Sequence, residues 1–97
     1  MTKPKLVETI RAAIQEWAQQ HSVDLALLEV NPTDIELDVR IIVVARHGFE
    51  NWSEIDRHES LYKYLRLKLD EAGIVNLVSL ITMPEEEYDQ YERVEVS

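Results

Sequence analysis

The feature that most constrains the fold is a strand-like alternation in the middle of the chain. In residues 35–45 every second side chain is apolar: Ile35, Leu37, Val39, Ile41, Val43 and Ala45. The intervening positions begin as charged residues: Glu36, Asp38 and Arg40. Because strand side chains alternate between two faces, this pattern predicts a strand with one covered face. Ile42 and Val44 end the polar alternation, which predicts that the later part of the strand is covered on both faces.

A second strand is predicted just before the first. Residues 23–30 are rich in aliphatic side chains and stop at the sequence Asn31-Pro32-Thr33-Asp34. Proline fixes its own φ, and Asn and Asp side chains can bond to nearby backbone, so this sequence is typical of a turn. The two strands are therefore expected to pair as a hairpin.

Helical periodicity flanks the hairpin on both sides. Before it, apolar residues recur at three- and four-residue steps behind Pro4: Leu6, Ile10, Ala13, Ile14 and Trp17. This pattern predicts a one-faced helix that ends near Gln20-His21. After the hairpin, the 3.6-residue period returns over residues 53–72, with Ser53 as the predicted N-cap and Gly73 as the residue that ends the helix.

The last part of the chain predicts a third strand and an acidic helical turn. Residues 74–83 are apolar at both parities, and residues 84–97 carry the acidic segment Glu85–Glu95. The order α-β-β-α-β predicts a single domain over residues 1–97. It has an α+β, two-layer architecture, with a three-stranded mixed sheet and helices on one face. The third strand should lie parallel to one hairpin strand, because a helix connects them.

Composition excludes several classes of function. The chain has no cysteine, which excludes disulfides, zinc-thiolate sites and a thiol nucleophile. Its net charge of −9 repels phosphate backbones, so nucleic acid is an unfavourable partner. No apolar run approaches the length of a membrane span, and the first residues lead into a polar-faced helix. A cytoplasmic protein without a membrane segment is expected.

The second predicted helix carries an Arg-His pair, Arg57-His58. Stepping about 100° per residue places His58 in the middle of an apolar stripe. The stripe consists of Ile55, Leu61, Tyr62, Leu65, Leu69 and Ala72. His58 is therefore expected to face the core, as a packed, hydrogen-bonded imidazole. Arg57 is expected at the boundary or in solvent, either paired with Glu50, Glu54 or Glu71 or turned towards a partner.

A second apolar group is expected on the opposite side of the same helix. It consists of Trp52, Tyr64 and Leu67. A surface helix is normally polar there, so these residues form a candidate partner or homodimer surface. The alternative is that the acidic C-terminal helix covers Tyr64 and Leu67 through Tyr88 and Tyr91.

The spacing of Phe49, Arg57, His58 and Tyr62 resembles the helix signature of the BolA-like proteins, F-x-G-x5-R-H-x3-Y. The resemblance extends outward to the segments KLVETIRAAI, LALLEV, ELDVRIIVVA and IVNLVSLITMPEEEY. It implies a fold related to the type II KH fold. It also implies a non-enzymatic partner of monothiol glutaredoxins in iron–sulfur trafficking, in some members a transcriptional regulator.

The chain departs from the family pattern at the metal-binding positions. Asn76 stands where BolA-like proteins place a cluster-ligating histidine, and Asn31-Pro32-Thr33-Asp34 supplies no second ligand. Asn51 replaces the signature glycine. A carboxamide is a poor ligand for iron. We therefore expect no metal or other cofactor, and Arg57 and His58 carry over only as signature positions.

The leading hypothesis is a small binding or regulatory module that acts through protein contacts. One alternative is a subunit or adaptor that captures a basic partner through the acidic C-terminal segment. A KH-like nucleic-acid binder is disfavoured, since the chain has no G-x-x-G motif. For an enzyme the best candidate is His47, with Glu50 to orient it, and no catalytic site is predicted.

Overall fold

The structure, a computed structural model, describes residues 3–32, 38–50, 52–74 and 77–96, with the side chains of 5–32, 38–50, 52–74 and 78–90. Three helices and three strands lie in these ranges. They are α1 (Lys3–Gln20), β1 (Asp24–Pro32), β2 (Asp38–His47), α2 (Glu54–Glu71), β3 (Leu77–Pro84) and α3 (Glu85–Val96). The predicted order of elements and the α+β class are confirmed.

The three strands form one mixed sheet in the order β1-β2-β3. β1 pairs with β2 antiparallel, as the hairpin prediction requires. β3 runs parallel to β2, with Ile41 opposite Leu80 and Val43 opposite Thr82. The parallel pairing follows from the helical crossover, because α2 carries the chain back to the end of the sheet at which β2 began.

The core lies between the sheet and the two long helices. In β2, Val39, Ile41 and Val43 are fully buried, and they meet Ile10, Ile14 and Trp17 of α1 within one cluster. The indole Nε1 of Trp17 donates to Ser60 Oγ at 3.0 Å, which joins α1 to α2. The alternation seen in the sequence therefore selects the face of β2 on which the helices pack.

The ends of α2 match the sequence signals. Ser53 is the N-cap, and its hydroxyl accepts from the backbone N–H of Asp56 at 3.1 Å. Gly73 follows the helix with a φ of +73°, a conformation that glycine adopts without the usual steric cost. Ile74, expected to open the third strand, instead donates its N–H to the Leu69 carbonyl at 2.8 Å and is part of the helix exit.

Two other predicted boundaries differ from the structure. Asn31 and Pro32, expected in a turn, are the last residues of β1 and pair with Arg40 and Val39. Pro32 fits because β1 is an edge strand in the described sheet, where a missing N–H is tolerated. The rest of that turn and positions 35–37 of the predicted strand lie outside the described residues.

The acidic end of the chain forms a 12-residue helix, α3, where a short helical turn was expected. α3 contacts β2 and β3. Val44 alternates with Val43 and so points away from α1 and α2, yet it is only 1% exposed. We therefore place α3 over this end of the outer sheet face, and coverage of β2 on both faces is confirmed at Val44. Within the described ranges no helix is both long and apolar enough to cross a bilayer.

Candidate protein-interaction site on the second helix

Arg57 is buried, which corrects the expectation that it lies at the boundary or in solvent. Its side chain reaches β3, where Nε donates to Thr82 Oγ1 and Nη2 donates to the Thr82 carbonyl, both at 3.1 Å. The guanidinium carbon also lies 5.0 Å from the centre of the Phe49 ring. The physical reason is the four-residue step that joins Arg57 to Leu61, because the buried row of α2 is Arg57, Leu61, Leu65 and Leu69.

His58 consequently faces the flank of α2, and the expectation of a core-facing imidazole is wrong. The ring is half-buried and stacks on Tyr62, with centroids 6.1 Å apart and planes 8° from parallel. Tyr62 is 37% exposed and Ile55 is 70% exposed, so both lie outside the core. The buried face of α2 is rotated by about one residue from the predicted stripe, because the prediction counts Arg57 as a solvent-facing polar residue.

The signature residues thus divide into two pairs. Phe49 is 2% exposed and packs against Trp17 at 6.4 Å between centroids, and it carries the buried guanidinium of Arg57. His58 and Tyr62 lie at the surface as a stacked pair. The first pair is buried within the fold, and the second pair is partly exposed at the surface.

A groove runs beside this surface pair, between the first half of α2 and β3. Glu54, Ile55, His58 and Glu59 line one wall, and residues 80–82 line the other. Its volume is about 370 Å³. A smaller hollow of about 220 Å³ shares His58 and Glu59 and adds Tyr62 and Lys63. The sequence does not indicate the groove, because its periodicity assigns Ile55 to the core and predicts no contact between β3 and the flank of α2.

Trp52 and Tyr64 pack against the α1 side of α2, apart from the groove. The Trp52 ring lies 5.9 Å from Trp17 and meets His21 edge-on at 5.1 Å. The Tyr64 hydroxyl lies 3.4 Å from the Gln20 amide nitrogen, which donates to it. Tyr64 therefore lies against α1. The alternative prediction, that the C-terminal helix covers Tyr64, is wrong in this respect. The side chain of Tyr91 lies outside the described residues.

Leu67, the third member of that predicted surface, is 55% exposed. The ammonium group of Lys68 lies 5.4 Å from the centre of the Tyr64 ring and shields one side of it. Loss of solvent raises the pKa of the Tyr64 hydroxyl above its ordinary value, and the neighbouring carboxylate of Glu16 raises it further to a smaller extent. Trp52 and Tyr64 thus have partners within the fold, and a role of all three residues in binding stays a prediction.

Glu50 has a structural partner other than His47. Its carboxylate accepts from the backbone N–H of Gly48 at 2.8 Å. Hydrogen bonds from its own N–H and from Gly48 hold the pKa of Glu50 below its ordinary value, and His47 adds to this effect. The carboxylate therefore stabilises the turn after β2.

The donor set of the chain does not fit an iron–sulfur cluster of its own. Such clusters are held by thiolates and imidazoles, and the chain has no cysteine and three histidines. His21 packs on Trp17 and Trp52, whereas His58 stacks on Tyr62. In the ranges that the structure covers, no group of three or more His, Asp or Glu residues could hold a metal ion. Asn76 lies outside those ranges.

A search of solved structures found BolA1 from Arabidopsis thaliana as a similar chain. The TM-score is 0.54 at 20% sequence identity, over 81% of this chain and 94% of the BolA1 chain. The likeness at this identity concerns the fold, and the predicted BolA-like architecture is confirmed at that level. No family model matches the chain, and no curated protein matches it.

Proposed function

We propose that this chain is a small, non-enzymatic BolA-like module that regulates or assists another protein through direct contact. The observation that carries the proposal is the division of the Phe49–Tyr62 signature. Arg57 and Phe49 are used inside the fold, whereas His58 and Tyr62 form a stacked surface pair beside an open groove. Aromatic groups with an apolar body and a polar edge are favoured at protein interfaces.

The proposed partner is a monothiol glutaredoxin, and its support is the BolA-like fold together with the signature spacing. With no thiolate and with Asn76 at the position of the family's ligand, this chain would bind the glutaredoxin without donating a metal ligand. Its role would then be to cover or position the glutaredoxin. A cytoplasmic location agrees with this role.

The proposal is tested by mixing the protein with a cluster-loaded monothiol glutaredoxin and following co-elution and visible absorption together. We expect a complex whose absorption bands remain those of the glutaredoxin alone. A complex with shifted bands would show that this chain supplies a ligand. The absence of any complex would remove the glutaredoxin as partner and leave the fold unaffected.

An adaptor that captures a basic partner through α3 is the second candidate. Glu85, Glu86 and Glu87 are exposed in the first turn of that helix. Glu85 lies 3.8 Å from Arg46 Nε, so part of this charge is already paired. Homodimerisation through Leu67 is a further hypothesis, and nucleic acid is disfavoured by the net charge of −9.

A further inference from the structure

One edge of the sheet is open beside the groove. In the part of the chain that the structure describes, β3 pairs with β2 and has no strand on its other side. An unpaired edge offers backbone N–H and C=O groups to an incoming extended chain. Arg57 occupies the Thr82 carbonyl, so an added strand would pair on the N-terminal side of Thr82.

The two faces of this edge differ in chemistry. On the helix side the open wall carries two carboxylates, Glu54 and Glu59, next to the exposed Ile55. On the outer face Ile81 is 51% exposed, and it lies across from the half-buried Ile42. Side chains of an added strand alternate between these faces. A strand with basic residues at one parity and apolar residues at the other therefore matches both.

We infer that the groove between α2 and β3 binds an extended, basic–apolar segment of a partner protein as a fourth strand of the sheet. The inference rests on the proposed function, because it specifies how the module contacts a partner. Charge selects this occupant over a second copy of the chain. Two copies would bring Glu54 and Glu59 against the same residues at a net charge of −9 each.

The groove also differs from the acidic helix as a binding surface. Glu85–Glu87 attract a basic segment by charge alone, whereas the groove adds strand pairing and contact with Ile81. Binding at the groove should therefore require the partner's backbone N–H groups. Binding at α3 should not.

The probe is a capped peptide that alternates lysine and valine over six residues, titrated into isotope-labelled protein and followed by backbone amide NMR. We expect slowed amide exchange at Leu80, whose backbone groups face the open edge on the N-terminal side of Thr82, and shifts at Leu80, Ile55, His58 and Glu59. An otherwise identical peptide with glutamate in place of lysine should not bind. A basic peptide that is N-methylated at alternate residues cannot donate the backbone hydrogen bonds of a strand. If the methyl groups lie on the edge that faces β3, its affinity should fall by roughly tenfold or more.

Two matched charge reversals locate the site. Glu59→Lys in the groove should weaken peptide binding by roughly tenfold, whereas Glu86→Lys in α3 should change it by less than about twofold, because Glu59 lines the groove and Glu86 does not. Ile81→Thr keeps a β-branched residue at an exposed position and should weaken binding without unfolding the protein. Dispersed amide spectra of all three variants confirm that they are folded.

Several outcomes would overturn the inference. One is a peptide that shifts only α3 amides, or that is weakened more by Glu86→Lys than by Glu59→Lys. A second is self-association of the protein that the Ile81→Thr variant abolishes. A third is a single-stranded oligonucleotide that shifts the amide signals of residues 80–82 when the peptide does not. If the protein binds the glutaredoxin but not the peptide, the inferred strand binding at the groove is wrong and the proposed function stands. Peptide binding without that complex would support the groove and remove the proposed glutaredoxin partner.

Discussion

The guanidinium group of Arg57 donates one hydrogen bond to the side chain of Thr82 and another to the backbone of the same residue. Nε donates to Oγ1 and Nη2 donates to the carbonyl oxygen, each at 3.1 Å, and both residues are about 6% exposed. The contact joins the first turns of α2 to the open edge strand. It fixes the position of the helix whose flank carries His58 and Tyr62.

Thr82→Val should destabilise the protein, because it leaves the buried Nε–H of Arg57 without an acceptor. A buried unsatisfied donor costs about 1–3 kcal/mol in the free energy of unfolding. Thr82→Ser retains the hydroxyl and is the matched control, with a smaller loss. Urea unfolding measures the free energy of unfolding of wild type, Thr82→Val and Thr82→Ser. Equal values for the two variants would show that the hydrogen bond to the Thr82 hydroxyl does not stabilise the protein.

The two glycines should respond differently to alanine. Gly48 has a φ of +111°, and a Cβ there would lie 2.8 Å from Val23 Cα, so the backbone would have to move. Gly73 has a φ of +73° and nothing within 4 Å of the added atom. Gly73→Ala should cost about 1–2 kcal/mol from the left-handed conformation alone.

Gly48→Ala should therefore cost clearly more than Gly73→Ala. Thermal unfolding of the two variants in parallel checks the order. The reverse order, or equal losses, would contradict the close approach of Gly48 to Val23.

Glu50 should make the stability depend on pH in the acidic range. The pKa of the folded state lies below the ordinary 4.5, so the carboxylate stabilises the fold fully above that pH. This contribution is lost as the pH falls through the lowered pKa. The difference in unfolding free energy between wild type and Glu50→Gln should shrink correspondingly, and a difference that stays constant over that range would exclude this role.

Trp52→Ala and Leu67→Glu should separate fold from surface. Trp52 packs on Trp17 and His21, so its truncation should cost on the order of 2 kcal/mol, below the 3–5 kcal/mol of a fully buried Trp. Leu67→Glu is an exposed change and should stay within about 0.5 kcal/mol of wild type.

Leu67→Glu is therefore the cleaner test of the predicted homodimer surface. Sedimentation of this variant beside the wild type measures the oligomeric state. A wild-type dimer that becomes monomeric would support this surface, and unchanged behaviour would dismiss it.

The sequence predicted the architecture well, because periodicity depends on which faces are covered. Ser53, Gly73 and the alternation from Val39 to Ala45 all have the predicted roles. The site was harder to predict, because burial of a charged residue depends on a partner distant in sequence. Arg57 meets Thr82, 25 positions away, and nothing in the local pattern indicates that pairing. Once Arg57 is placed inside, the exposure of His58 follows from the helical step.

The central claim is that the stacked pair of His58 and Tyr62 contacts the partner while Arg57 maintains the fold. Calorimetric titration of wild type, His58→Ala and Tyr62→Ala with a monothiol glutaredoxin tests it most directly, with unfolding free energies measured on the same samples. We predict that each variant binds roughly tenfold more weakly, about 1.4 kcal/mol, at nearly unchanged stability. Equal dissociation constants for all three proteins, or no binding by the wild type, would contradict the account.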